Sequence, residues 1–198
     1  MTNNSVRRSM ATPIAVQTLP EEENKPALRR ISGYALKFDN ETYIGGKEWG
    51  FYEVIRKEAL SNADLSDVVL CRNHDNSKTV ARTSNGTLKL TVDDVGLQFI
   101  ADVIDTTDGL DMMKEIESGL IGGMSFHARY DIDGCRMSEK DGKEFVEVVG
   151  YSKFMDVSPV TFPAYDDTEV ALMRSRVAAN SIAQREARLL ARLDELVK

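Results

Sequence analysis

The 198-residue sequence has no apolar run approaching the roughly 18 residues a helix needs to cross a bilayer, and no apolar segment of a secretory signal near Met1. These absences predict neither membrane insertion nor export. Cys71 and Cys135 are the only cysteines, too few for a disulfide framework, which fits a reducing compartment. No Walker loop, no GxGxxG after a strand and no HExxH occurs, so the common nucleotide, dinucleotide and zinc-protease signatures are absent. Positive charge is short: 25 Lys and Arg face 32 Asp and Glu, a net charge of −7, which argues against gripping nucleic acid. Histidine is as scarce as cysteine. With only His74 and His127, any imidazole chemistry rests on one or both. Cys71, His74, His127 and Cys135 match no ribbon or finger spacing, which reads against a metal site.

What is present suffices for one substantial domain with tails. Residues 1–27 are polar, broken by Pro13, Pro20 and Pro26, and carry the run Glu21-Glu22-Glu23; without a period they predict a disordered arm. From Arg29 onward short alternating segments predict strands over 31–38, 49–54, 66–73, 79–83, 88–92 and 97–104, with a short helical turn around Lys57 to Ser61. The Tyr34/Leu36/Phe38 row is the expected apolar face of the first of them, and Asn85-Gly86 is the strongest hairpin signal. Thr106 or Thr107 can cap a helix whose Leu110, Met113, Ile116 and Leu120 recur at spacings of three and four, with Gly119 as its stop. Strands are expected again over 121–130, 145–151 and 156–162. From Asp167 to Lys198 no glycine or proline interrupts a helical pattern with a thin row of Ile182, Leu189, Leu193 and Leu196. The predicted division is an arm over 1–27, a domain over 28–170 and a helical tail over 171–198.

The stretch Ile121 to Tyr130 is the best candidate for chemistry. Met124, Phe126, Ala128 and Tyr130 alternate with Ser125, His127 and Arg129, the pattern of a half-buried strand with a polar row. Gly122 and Gly123 leave room beside its start for another chain. Ser125 becomes a nucleophile only with a base. His127 lies two residues along the same face, roughly 6.5–7 Å away at the Cα and near parallel, so it is expected to flank the cleft. His74, in a polar turn after a strand, comes from another segment and is the better base. Cys71 stands three residues from His74, on the opposite face of a strand, and reads as a buried, inert thiol.

Four segments carry a resemblance. They are Asn73-His74-Asp75 after an apolar strand, Gly86 to Leu90 with Asp94 to Leu97, Gly119 to Phe126 (GLIGGMSF), and Asp156 to Ala164 (DVSPVTFPA). In this order they resemble the prohead maturation proteases of tailed bacteriophages, distant relatives of the herpesvirus assembly proteases. The resemblance implies an α+β fold: a closed or nearly closed, mainly antiparallel β-barrel with a few helices. It implies a serine endopeptidase without cofactor, with Ser125 as nucleophile and His74 as general base. Asp156 stands at the family's acidic position before Val-Ser, where Glu is commoner; Glu147, alternating with Phe145 and Val149, is the runner-up acid. The implied substrates are the scaffolding region of the major capsid protein and the protease itself, cleaved inside the procapsid assembling in the host cytoplasm. The herpesvirus relatives are activated by dimerisation, which points to a homodimer. The competing reading is a non-catalytic assembly scaffold that binds capsid subunits.

Overall fold

In a computed structural model, residues 5–20, 28–45 and 50–163 are described. Their strands form three sheets. The first contains β1 (Ser5–Met10), β6 (Val69–Cys71), β7 (Thr79–Arg82), β10 (Gly123–Tyr130) and β13 (Tyr151–Val160), in the order β1-β10-β13-β6-β7. A second orders β11 (Cys135–Lys140), β12 (Lys143–Val148), β5 (Phe51–Ile55) and β4 (Thr42–Ile44). The third orders β2 (Ala15–Leu19), β3 (Leu28–Lys37), β9 (Gly96–Val103) and β8 (Leu88–Val92). One α-helix, α1 (Thr107–Glu117), and several 3-10 turns join them. The strand-rich fold follows the alternation, but the ladders among the described residues close no barrel. Nor is every pair antiparallel: β12 runs parallel to β5, and β13 to β6.

The largest correction concerns the expected disordered arm. Its described part forms β1 and β2, which complete the first and third sheets as edge strands. The tail predicted over 171–198 lies outside the described residues. Asn85-Gly86 turns the chain as expected, with Gly86 at φ +79°, but it carries the chain from the first sheet to the third instead of closing a hairpin. The tight hairpin is at Asp141-Gly142, where φ of +53° and +72° matches a primed turn between β11 and β12. Helix α1 is capped by Thr106, whose hydroxyl accepts from the Gly109 N–H at 3.2 Å, and it buries Gly109, Met112, Met113 and Ile116. Leu120 lies beyond the helix and is exposed.

Bulges shift the apolar rows in β3 and β13. In β3 the register slips between Tyr34 and Leu36, so Ala35 is the extra residue and the buried row passes from Ile31 to Leu36 and Phe38. In β13 the slip falls opposite His127/Ala128: Ala128 faces Phe154, His127 faces Asp156, and Met155 is the extra residue. Plain alternation would put Phe154 and Asp156 on one face. The bulge sends Phe154 into the core, stacked on Phe126 at 5.3 Å, and turns Asp156 to the side of Ser125 and His127.

Candidate active site

Strand β10 lies between β1 and β13, and its register with β13 sets Ser125 opposite Ser158 and His127 opposite Asp156. Directly paired residues project to the same face, so the polar rows of both strands meet. Strand β6 lies parallel to β13 on its other side, with Val69 opposite Asp156, and ends in the turn Arg72–His74. The chain reverses there through two consecutive left-handed residues, Asn73 (φ +51°) and His74 (φ +60°). Asparagine and histidine enter this region more readily than most residues, and such strain persists only when the surroundings hold it. Three anchors do so. The Asn73 side-chain oxygen accepts the Thr161 N–H at 3.0 Å, Arg72 pairs with Glu115 of α1 at 2.7 Å, and Asp75 accepts from the N–H and hydroxyl of Ser77.

The turn brings His74 between the other two groups. Its Nε2 stands 2.6 Å from Ser125 Oγ and its Nδ1 2.6 Å from Asp156 Oδ1. Asp156 is 2% exposed and also accepts the Ser158 hydroxyl at 2.7 Å, while His127 Nδ1 lies 3.5 Å from its other oxygen. Burial alone would raise the Asp156 pKa; hydrogen bonds from His127, His74 and Ser158, with the attraction of His74, outweigh it and hold the carboxyl well below the usual carboxylate range. An unfolded aspartate titrates at about 3.9. The stabilisation from this depressed pKa is therefore complete above about pH 4 and lost as pH falls through the lower folded value. Urea unfolding should show wild type losing stability relative to Asp156→Asn as pH falls from about 4 to 3.

Ser125, His74 and Asp156 thus meet as the sequence reading places them, and His127 flanks the carboxylate. Glu147 does not join them; it accepts from Arg56 Nε at 2.8 Å on β12, in the second sheet. Cys71 is fully buried with Sγ 3.3 Å from Ser158 Oγ, and burial, with the nearby Asp156 charge, pushes its thiol up to about 12. A thiol so protonated is a poor nucleophile. Any turnover that runs through His74 should survive Cys71→Ser within a few-fold, measured on the same substrate as wild type. The Gly122 N–H is bonded to the Val160 carbonyl at 3.3 Å.

Sequence reasoning missed what lies across Ser125. Ser9 of β1 pairs with Ser125, and Ser125 Oγ donates to the Arg8 carbonyl at 2.9 Å. Ser125 is consequently 0% exposed. Its single hydroxyl proton has two acceptors within reach, His74 Nε2 and the Arg8 carbonyl. The room expected beside the glycine pair is present at Gly122, where a Cβ would meet nothing within 4 Å, and is closed at Gly123, where a Cβ would sit 2.6 Å from the Met10 carbonyl oxygen. The signal in the sequence was the weak alternation Val6, Arg8, Met10, hidden because its central member is an arginine.

The family described as caudovirus prohead serine protease matches residues 17–183. No curated protein matches the sequence. Among solved structures, the capsid assembly protease gp21 of bacteriophage T4 aligns with a TM-score of 0.49 and 12% identity, covering 78% of this chain and 96% of that one.

Proposed function

The chain belongs to the caudovirus prohead serine proteases, and from that premise we propose that it is a serine endopeptidase of procapsid maturation working through Ser125, His74 and Asp156. The observation that carries this reading is the unbroken line of contacts from Asp156 to His74 Nδ1 and from His74 Nε2 to Ser125 Oγ, 2.6 Å each. These are hydrogen-bond distances for a nucleophile, its base and the group that orients the base. Asp156 accepts the Nδ1 proton, so Nε2 presents its lone pair to the serine. As Ser125 Oγ attacks a peptide carbonyl carbon, its proton passes to Nε2. When the C–N bond breaks, Nε2 returns that proton to the leaving amine, and an ester remains on Ser125. Water then attacks the ester, gives a proton to His74 and releases the acid, and the serine regains its proton.

Substrates enter as extended strands along β10, the position β1 holds, in the manner of peptides that add to a sheet edge. Two substrates follow: the scaffolding region of the major capsid protein, and the chain's own first strand, whose Arg8–Ser9 bond lies nearest the nucleophile. Cleavage there would release the residues that cover Ser125. The setting is the assembling procapsid in the host cell. The test is co-expression with the capsid protein. Wild type should shorten the capsid protein and yield a chain that starts at Ser9, whereas Ser125→Ala should leave both intact. Cleavage that persists in the alanine variant removes Ser125 from the mechanism.

A further inference from the structure

Arg8 and Glu53 are each only 3% exposed and form a two-pronged pair: Nε to Oε1 at 2.6 Å and Nη2 to Oε2 at 2.8 Å. The Tyr130 hydroxyl accepts from Nη2 at 3.0 Å and reaches Glu53 Oε2 at 3.4 Å. Burial holds the Tyr130 phenol well above its ordinary pKa, so it stays a neutral donor and acceptor. Arg8 pairs in register with Phe126, on the face of β10 opposite Ser125. One residue therefore meets the nucleophile with its carbonyl and the Glu53 slot with its side chain. A depression lined by Lys37, Thr42, Ile55 and Phe126, together with Arg8 and Glu53, adjoins the pair.

A peptidase cannot act on another chain while β1 covers Ser125, so the proposed function requires β1 to leave and a substrate strand to replace it. When β1 leaves, Arg8 goes with it, and the carboxylate of Glu53 stays behind on β5 in a site built for a cation. A buried carboxylate without its partner is strongly unfavourable, and a planar guanidinium is the group that restores both bonds. An incoming strand with leucine or glutamate in this register would leave Glu53 unpaired or repelled; lysine would satisfy it with a point charge only.

We propose that Glu53 and Tyr130 form a guanidinium-binding subsite that selects substrates with arginine on the acyl side of the cleaved bond, the place Arg8 occupies in the uncut chain. The inference rests on the peptidase reading and adds its specificity. The test uses the full chain carrying Arg8→Ala, so that its own strand no longer fills the slot, with Arg8→Lys as a second background that keeps one charge there. Peptides copying residues 3–14 carry arginine, lysine or citrulline at position 8; citrulline keeps the shape of arginine and removes its charge. We expect kcat/KM for the arginine peptide to exceed that for citrulline by at least about 100-fold, with lysine between them. Adding Glu53→Gln should collapse the ratio to within about threefold. Equal cleavage of the arginine and citrulline peptides, or a ratio that survives Glu53→Gln, overturns the subsite and leaves the peptidase standing. Binding of the same peptides, followed by fluorescence anisotropy, separates the other failure. Arginine-selective binding without any cleavage sinks the peptidase and keeps the subsite; unselective binding without cleavage overturns the subsite as well.

Discussion

Ser125→Ala is expected to lower proteolysis by on the order of 10⁶ in turnover while the chain stays folded. The size follows from the unit character of the site. Without Oγ there is no atom for His74 to deprotonate and no ester to carry the acyl group, so the precise positions of His74 and Asp156 count for nothing. The structural cost is small by comparison, because the serine gives up one hydrogen bond to the Arg8 carbonyl, about 1 kcal/mol. That bond helps hold β1, so the variant should melt at most a few degrees lower and still assemble with the capsid protein. Turnover on a capsid-derived substrate and a thermal melt of the same preparation check both halves. An assembly scaffold without catalysis would have no turnover to lose and would show only the same small shift in the melt.

Asp156→Asn should lower turnover by about 10⁴ with the fold retained. Oδ1 of Asp156 accepts from His74 Nδ1 and from the Ser158 hydroxyl, and its other oxygen faces His127. An asparagine can offer an acceptor on one side only; the other side becomes an NH₂ pointing at a histidine or at Ser158. With the NH₂ toward His74, the tautomer that accepts from Ser125 loses its support; with the amide oxygen there, a neutral acceptor replaces the charged one and stabilises the imidazolium less. Glu147→Gln provides the contrast. It weakens a partly exposed pair with Arg56 and should leave turnover within a few-fold. Comparing kcat for the two variants decides between the two acids weighed from the sequence. Equal losses would place a role for Glu147 that its distance from His74 does not explain.

The site was more legible in the sequence than the frame around it, for reasons that can be traced to particular residues. Ser125 and its alternating neighbours sit on one central strand, where period two is a direct consequence of the pleat. His74 followed from scarcity and from a polar turn after an apolar strand. Asp156 was different. By alternation with Phe154 it belongs on the Phe126 face, and only the extra residue Met155, a local feature of the ladder with β10, turns it to the face of Ser125 and His127. Its selection over Glu147 came from the family pattern, not from its spacing. Strand β1 was illegible because its buried row contains an arginine, and what buries that arginine is a glutamate 45 residues away on another sheet. No local period reports such a pairing. The two parallel pairings were hidden for the same reason, since alternation fixes which face a residue takes and says nothing of the neighbour strand's direction.

The covering strand also links geometry to timing. A serine that is fully buried beneath its own chain cannot meet a capsid substrate until that strand moves, and the residue that anchors it presents the bond nearest the nucleophile. Under the proposed function one event would thus uncover the site and empty the slot at Glu53.

The most direct measurement is to treat the chain, after release of β1, with diisopropyl fluorophosphate and map the adduct by mass spectrometry. The account predicts a single modified residue, Ser125, with labelling lost in His74→Ala and slowed in the uncut chain. A preparation that cleaves substrate yet carries the adduct on another serine, or labels Ser125 equally fast without His74, would contradict it.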